Sequence, residues 1–584
     1  MALKPIKRSF VLSFIICAAF APDAASQKSG QGSSEPARSD SFRIAPGSMF
    51  DTSPRSHIPS DTLERTTRPA MSEPLLNAAN EINEALEIIK RNHAAGNALD
   101  QDAVTGSAIT SMLKSLDPHS NYYDKREFAE LLGGHRSEYS GTGVFITNFG
   151  HGESRGTYIV ASAPNSAASR AGLRFGDRII SLDGQNIGGM DSYAVREMIR
   201  GERGTNVEIT VKRADTLETE KLSLRRERLS QPSVPRAFML EDKIGYIEMS
   251  SGFSYSTVTE LDTAMADLKK RGAVALVIDL RGNPGGIVDQ AVAVAERFLP
   301  DGAKILSQRG RFSRDDRVWI SQNKRPETMP VVLLTDEVTA SAAEIVAGAF
   351  QDNDRALIVG QRTFGKGLVQ NVLDLPDGSG LTLTAARYYT PSGRSIQRNY
   401  TGTGLYDYYK RTERAALIDG SFEAAKTLTN RTVHGGNGIA PDVAVEQENY
   451  SEERARLIDR IFLFTVDLVN GRIEGQPSRA ALRQRAIFEK PVVTDQMVEA
   501  FMKYLADSGE NLPNEKNAGT VRADLEHYLA LALFGQDAAA KVMLAHDKTF
   551  ASAIRSIRAS AELAKRARAV TDPLQMASKS PPKR

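Results

Sequence analysis

Ser341 and Lys366 are the two residues whose types and positions could do chemistry. Ser341 lies between an apolar, β-branched run at 331–334 and a helical pattern from 342 to about 351. Lys366 lies between two glycines, one loop beyond a second apolar run at 356–359. A serine becomes a nucleophile when a base takes its proton, and a neutral lysine can be that base. The pattern therefore predicts a strand-helix-strand unit that carries a serine and a lysine.

Each of these residues also has a purely structural interpretation. Ser341-Ala342-Ala343-Glu344 fits a capping box, in which the serine closes off free N–H groups at a helix N-terminus. A lysine between glycines is typical of a solvated turn. The cap and the nucleophile are nevertheless compatible, because the N–H groups of a helix N-terminus can also stabilise an oxyanion.

Gln370 is predicted to orient Lys366. Residues 367–372 are predicted to form a strand, where residues two apart share a face, so Lys366 and Gln370 should point the same way. A lysine is a base only when neutral, so burial must lower its pKa from about 10.4 towards about 7. An amide can hold the amine without adding a charge that would raise this pKa, whereas a carboxylate would work against the base.

Several short segments carry motifs that extend this pattern. They are Thr339-Ala340-Ser341-Ala342-Ala343-Glu344-Ile345, Thr363-Phe364-Gly365-Lys366-Gly367 with Gln370, Arg281-Gly282-Asn283-Pro284-Gly285-Gly286, Tyr388-Tyr389-Thr390-Pro391-Ser392-Gly393 and Gly438-Ile439-Ala440-Pro441-Asp442. Together they resemble the signature of the C-terminal processing (tail-specific) serine peptidases, whose Ser-Lys pair is 25 residues apart, as here. The resemblance covers roughly residues 76–446. It implies a crotonase/ClpP-like α/β protease core, a nucleophile at Ser341, a base at Lys366, an orienting Gln370, and no metal or cofactor.

Backbone N–H groups are predicted to hold the oxyanion. The Gly-rich turn at 281–286 fits neither the P-loop nor the dinucleotide-binding fingerprint. Its glycines would let the backbone approach a substrate carbonyl, so we expect the N–H of Gly285 or Gly286 to join that of Ala342. The sequence leaves the choice between the two glycines open.

Other protease chemistries fit the sequence poorly. All eight histidines lie outside residues 238–400, so a Ser-His-Asp triad would need an imported base, and no H-E-x-x-H motif occurs. His119 follows an Asp-Pro pair that marks a loop, and we predict a structural role for it. Asp352 shares a helix face with Ser341 but lies ~16 Å away from it on a continuous helix. We expect it to pair with Arg355 or to end the helix.

Residues 137–228 alternate short strands with one helix and resemble a PDZ domain. In that fold a peptide adds as an extra strand, and backbone N–H groups of a Gly-containing loop hold its terminal carboxylate. The candidates for this loop are Gly141, Thr142 and Gly143, which precede a predicted strand. The alternative is a β-sandwich fragment with a Gly-rich hairpin.

Composition divides the rest of the chain. The 584 residues carry a net charge of +2, which gives no hint of a nucleic-acid partner. Basic residues before an apolar run at 10–20 are typical of a secretory signal peptide, and the only cysteine, Cys17, lies in that run. The predicted regions are a signal peptide at 1–26, a disordered linker at 27–73, an N-terminal helical region at 74–136, the PDZ domain at 137–228, the protease core at 229–448 and a helical extension at 449–584.

The sequence thus predicts a multidomain α/β protein with an inserted PDZ domain, N-terminal helices and a C-terminal helical extension. Its predicted function is that of an exported serine endopeptidase of the periplasm or cell envelope, which acts near the free C-termini of protein or peptide substrates. The alternative from another class is a catalytically silent PDZ scaffold. The extension is predicted to mediate oligomerisation or adaptor docking, with a packing lid as the alternative.

Overall fold

The computed structural model describes residues 72–150, 155–401, 408–409, 424–446, 451–487, 489–509 and 518–571. The predicted signal peptide and residues 27–71 of the predicted linker lie outside this set. None of the helices in the described part of the chain is both long and apolar enough to span a membrane.

The N-terminal helices fall into two units. The first unit ends at Ile109 and contains α1 (Glu73–Asn92) and the start of α2 (Gln101–Lys114). The second unit begins at Thr110 and contains β1 (Asn121–Tyr123), α3 (Lys125–His135) and all later described elements. Asp124 starts α3 with a capping box, because its side chain accepts the Glu127 N–H while the Glu127 carboxylate accepts the Asp124 N–H.

The predicted PDZ region is a β-rich domain inserted between α3 and the core. Its elements are β2 (Glu138–Gly141), β3 (Val144–Phe149), β4 (Gly156–Ser162), α4 (Ala167–Arg170), β5 (Arg178–Leu182), β6 (Gln185–Asn186), α5 (Ser192–Ile199), β7 (Asn206–Lys212), β8 (Thr219–Arg225) and β9 (Glu227–Ser230). The described strands of its sheet run in the order β3-β4-β5-β7-β8, with β6 on β5. The antiparallel pair β2–β9 joins the entry and exit of the domain, as expected for an insertion.

The described part of the core contains two large sheets, a smaller two-stranded sheet and three α-helices. Its elements are β10 (Arg236–Met239), β11 (Ile244–Glu248), α6 (Thr257–Lys270), β12 (Ala275–Asp279), α7 (Val288–Glu296), β13 (Lys304–Gly310), β14 (Arg317–Ile320), β15 (Val331–Thr335), α8 (Ala342–Asp352), β16 (Leu357–Gly360), β17 (Leu368–Asp374), β18 (Gly380–Tyr389), β19 (Ala424–Lys426), β20 (Thr432–His434) and β21 (Val443–Ala444). The main sheet runs β10-β11-β12-β15-β16-β21 and is parallel from β11 onward. A second sheet runs β1-β18-β13-β14, with β17 also on β18.

Burial explains the apolar runs of the core. Every residue of β12 and β15 is buried, as expected for parallel strands whose two faces are both covered. All eleven residues of α8 are buried as well, so this helix lies inside the molecule. The multidomain α/β architecture predicted from the sequence is confirmed.

The C-terminal extension contacts both the predicted PDZ domain and the core. Its helices are α9 (Glu452–Val469), α10 (Arg479–Arg485), α11 (Asp495–Asp507), α12 (Ala518–Phe534), α13 (Gln536–His546) and α14 (Lys548–Thr571). The Phe462 ring of α9 stacks on Phe149 of β3 with ring centroids 3.6 Å apart. On the core, Ser560 of α14 donates to the Val331 carbonyl oxygen at 2.6 Å. The extension therefore packs on the rest of the chain, as the alternative interpretation predicted. Its roles in oligomerisation and adaptor docking stay predictions.

Candidate active site

Three adjacent parallel strands bring the predicted site residues to one edge of the main sheet. β12 is followed by the turn at 281–286, β15 by the turn that reaches Ser341, and β16 by the loop with Lys366. Since these strands pair in the order β12-β15-β16 and run in parallel, their carboxyl ends meet at the same edge. Open α/β sheets commonly bind ligands at such an edge.

The backbone of Ser341 is held in a strained conformation. Its φ of 54° and ψ of −116° are unusual for a residue with a side chain. The Glu344 N–H donates to the Ser341 carbonyl oxygen at 2.9 Å, and the Ser341 side chain makes no cap hydrogen bond. The Glu344 half of the predicted capping box is present, because the Glu344 carboxylate accepts the Ser341 N–H at 2.9 Å. The hydroxyl is left available for chemistry.

Glu344 joins the Ser341 turn to the Lys366 loop. Its Oε2 accepts the N–H of Ser341 at 2.9 Å and the N–H of Lys366 at 2.8 Å. Its Oε1 accepts the N–H of Gly365 at 2.7 Å and the hydroxyl of Thr363 at 2.5 Å. Burial raises the pKa of this carboxyl, while its four hydrogen bonds favour the ionised form. The sequence showed Glu344 only as a capping-box residue, so this wider role was missed.

Lys366 lies in surroundings that favour its neutral form. Its Nζ donates to Gln370 Oε1 at 2.9 Å, which confirms the prediction that the two side chains point the same way. Burial lowers the pKa of Lys366 to about 8, although Asp117 and Glu344 act in the opposite direction. Most of the amine is still protonated at pH 7, but its neutral fraction is far larger than that of a solvated lysine.

The Gly-rich turn packs directly against the Ser341 turn. A Cβ at Gly285 would lie 2.7 Å from the Ser341 Cβ, and φ at Gly285 is +101°, so this position requires glycine. The Gly285 N–H donates to Asn283 Oδ1 at 2.9 Å. By contrast, the N–H groups of Gly286 and Ala342 donate to no acceptor among the described residues. These two N–H groups can therefore donate hydrogen bonds to an oxyanion.

His119 lies within electrostatic range of Lys366 despite its distance along the chain. β1 pairs with β18, which carries the preceding loop and its histidine to the site. The ring Nε2 is 2.7 Å from the Tyr408 hydroxyl oxygen. Burial, reinforced by Lys366, Lys114 and Arg398, lowers the pKa of His119 to about 2. A group of that pKa is a far weaker base than Lys366, and the hydrogen bond to Tyr408 agrees with a structural role.

The expected pairing of Asp352 with Arg355 is wrong. Asp352 Oδ1 instead accepts from Arg394 at 2.6 Å, and both side chains are only 1% exposed. The Arg355 guanidinium donates to the carbonyl oxygens of Phe298, Glu327 and Met329. The alternative expectation is met, since α8 ends at Asp352.

The predicted carboxylate-binding loop lies next to an open strand edge. β3 pairs with β4 and, among the described strands, is the edge of its sheet. Gly141 ends β2, and Thr142, which follows it, is 1% exposed with a hydroxyl that has no hydrogen-bond partner among the described residues. Gly143 has φ +83°, and a Cβ there would lie 2.3 Å from the Ser166 Cβ. The loop is therefore compact, and it requires glycine at 143.

Comparisons with known proteins find family matches to the core and to the inserted domain, and relatives that match half of the chain or more. A family model described as peptidase family S41 matches residues 243–404, and a PDZ domain model matches residues 158–213. The chain is 35% identical over 303 residues to a carboxy-terminal-processing protease of Bartonella bacilliformis, which covers 51% of this chain and 68% of that protein. It is 32% identical over 355 residues to the carboxy-terminal processing protease CtpA of Bacillus subtilis, with coverages of 60% and 73%. Among solved structures, the photosystem II D1 C-terminal processing protease is 28% identical, with a TM-score of 0.33 and coverages of 64% and 90%.

Proposed function

The chain belongs to the carboxy-terminal processing proteases of peptidase family S41, and on this premise we propose that it cleaves protein substrates at or near their C-termini through Ser341 and Lys366. It is a serine-type peptidase. One observation carries the assignment of the two residues. A single oxygen of buried Glu344 accepts hydrogen bonds from the backbone N–H groups of both Ser341 and Lys366, so the hydroxyl and the amine project from neighbouring points.

The proposed reaction is acyl transfer with lysine as the general base. Neutral Lys366 accepts the proton of the Ser341 hydroxyl while the oxygen attacks the scissile carbonyl, and the resulting ammonium protonates the leaving amine. Water then attacks the acyl-enzyme, with the same amine as base, and releases the new C-terminus. Gln370 holds the Lys366 amine through a neutral amide, which does not raise its pKa as a carboxylate would.

Ala342 and Gly286 are the proposed oxyanion donors. The N–H of Gly285 already donates to Asn283, which leaves Gly286 as the better donor of the two predicted glycines. Its partner, the N–H of Ala342, lies at the positive end of α8. Both groups are fixed before substrate binds, which is the condition for an effective oxyanion hole.

The inserted domain is proposed to bind the C-terminal tails of substrates. The open edge of β3 can accept a peptide as an added strand, and the loop of Gly141, Thr142 and Gly143 lies where a terminal carboxylate would be held. The unpartnered Thr142 hydroxyl supports a polar ligand at this loop. Export to the periplasm or cell envelope is proposed on the basis of residues 1–26.

The experiment that tests this function uses an unstructured protein as substrate. Wild type is compared with Ser341→Ala and Lys366→Ala, with the substrate C-terminus either free or amidated. We expect wild type alone to cleave, and to cleave the free-ended substrate faster. Equal cleavage by all three proteins would refute the two assigned residues. A wild type that binds free C-termini, but neither cleaves nor reacts with a fluorophosphonate probe, would indicate a silent scaffold.

A further inference from the structure

A carboxylate from the C-terminal extension contacts the first residue of the oxyanion loop, which we define as residues 281–286. Arg281 Nη1 donates to Asp547 Oδ2 at 2.5 Å. The Arg281 Nε and Nη2 groups bind Asp279, at the end of β12, at 2.9 and 2.6 Å. The side chains of Arg281 and Asp547 are each 21% exposed, so their charges are largely shielded from water. Such charge-assisted pairs are stronger than pairs on an open surface.

Asp547 is itself held in place by a second role. Its Oδ1 accepts the N–H groups of Thr549 and Phe550 at 2.8 and 3.0 Å, which makes it the N-terminal cap of α14. Helix α14 is fixed on the main sheet, where Phe550 is buried and Ser560 donates to the Val331 carbonyl oxygen. One oxygen of Asp547 therefore caps the helix while the other holds Arg281.

The oxyanion loop and the Ser341 turn form one hydrogen-bonded network. The N–H of Gly282 donates to the Asp336 carboxylate at 3.0 Å, and the same carboxylate accepts the N–H of Thr339 at 2.8 Å. One residue further along each turn, the Ala340 N–H donates to the Asn283 carbonyl oxygen at 2.9 Å. A displacement of Arg281 would therefore be transmitted to the backbone around the nucleophile.

We propose that Asp547 is a positioning residue for catalysis, which fixes Arg281 and thereby the Gly285-Gly286 backbone relative to Ser341. This inference rests on the proposed function, because it assigns the loop to the oxyanion. Oxyanion donors act over a narrow range of distances, about 2.7–3.1 Å, and small displacements of such groups can cost up to about a hundredfold in rate. The extension is then a part of the catalytic apparatus.

The test is the substitution Asp547→Asn, because asparagine caps helices about as well as aspartate but carries no charge. The matched control is Asp537→Asn, which removes the same charge from the extension at an exposed contact, 3.4 Å from Arg236. We expect Asp547→Asn to lower kcat about tenfold with little change in KM, and to slow fluorophosphonate labelling of Ser341. The control should behave as wild type in both assays.

Hydrogen exchange of the full-length protein separates positioning from simple destabilisation. Asp547→Asn should speed exchange of the amides at 282–287 while leaving those of α14 unchanged. The inference is overturned if kcat and loop exchange match the control, or if α14 and the loop both exchange faster, since that would indicate only a weakened helix. If wild type itself neither cleaves nor labels, the proposed function fails, and the inferred role of Asp547 in catalysis falls with it.

Discussion

Lys366 and His119 are close enough for their charges to interact, yet their surroundings give them opposite abilities as bases. Burial lowers the pKa of both, to about 8 for Lys366 and to about 2 for His119. The lysine starts from a high value, so the shift brings it close to the range in which a base works near neutral pH. The histidine starts near neutrality, and the same effect removes it from that range. The nearby carboxylates Asp117 and Glu344 limit the shift of Lys366.

The first prediction concerns the pH dependence of catalysis. kcat/KM should rise with pH and level off above about pH 8, because in the proposed mechanism only neutral Lys366 can accept the proton of Ser341. Gln370→Glu should move the midpoint to higher pH, since a carboxylate beside Nζ stabilises the ammonium. Rates measured from pH 6 to 10, with Gln370→Asn as the uncharged control, test this. Identical midpoints for Gln370→Glu and its control would contradict it.

A second prediction follows from the strained backbone of Ser341. Glycine tolerates a positive φ, so Ser341→Gly should be more stable than Ser341→Ala by about 1 kcal/mol, after the greater entropy of unfolded glycine is subtracted. Both variants should be inactive. The control is Ala347→Gly in the middle of α8, which should destabilise the protein by about 1 kcal/mol. Chemical denaturation measures all three, and a less stable Ser341→Gly would argue against strain.

At the scale of elements, Glu344 connects the helix that follows Ser341 to the loop that carries Lys366. α8 is wholly buried, and the Glu344 carboxylate in its first turn accepts hydrogen bonds from four donors at once. The S-x-x-E pattern pointed to one of these contacts, the N–H of Ser341. The other three come from a loop beyond β16, and only the pairing of β15 with β16 brings that loop within reach.

The third prediction is that Glu344→Gln destabilises the protein and impairs catalysis. An amide presents one oxygen and one NH₂ group, so two of the four donors would face another donor. The unfolding free energy should fall by about 2 kcal/mol or more. The fold decrease in kcat should be larger than the fold increase in KM. Denaturation and steady-state kinetics measure the two effects. Glu241→Gln, at an exposed position of the core, is a control for the charge change, and an effect of equal size there would argue against the four-donor role.

At the scale of the whole molecule, one helical extension is attached to both functional domains. Its α9 and α12 cover Phe149 and Tyr158 of the inserted domain through Phe462 and Tyr528. Its α14 lies on the main sheet of the core. Composition and periodicity predicted helices here but did not show which surfaces they cover.

The fourth prediction tests this attachment. Phe462 is fully buried and stacked on Phe149, so Phe462→Ala should cost about 3–5 kcal/mol of packing between the extension and the inserted domain. Limited proteolysis should then cut the inserted domain faster, while the fold of the core persists. Phe501→Ala is the matched control, because Phe501 is equally buried but packs on Phe464 within the extension. Equal sensitivity of the inserted domain in both variants would refute the specific contact.

The sequence alone determined what local pattern can encode. Apolar runs predicted the buried strands, three- and four-residue spacing predicted α8, and short motifs marked Ser341, Lys366 and Gln370, because each depends on residues close together in the chain. Tertiary structure decided what depends on distant segments meeting. It tied Glu344 to the loop of Lys366, committed the N–H of Gly285 to Asn283, brought His119 within electrostatic range of Lys366, and joined Asp547 to Arg281. Those contacts follow from strand order and helix docking, which fix neighbours that no local spacing reveals.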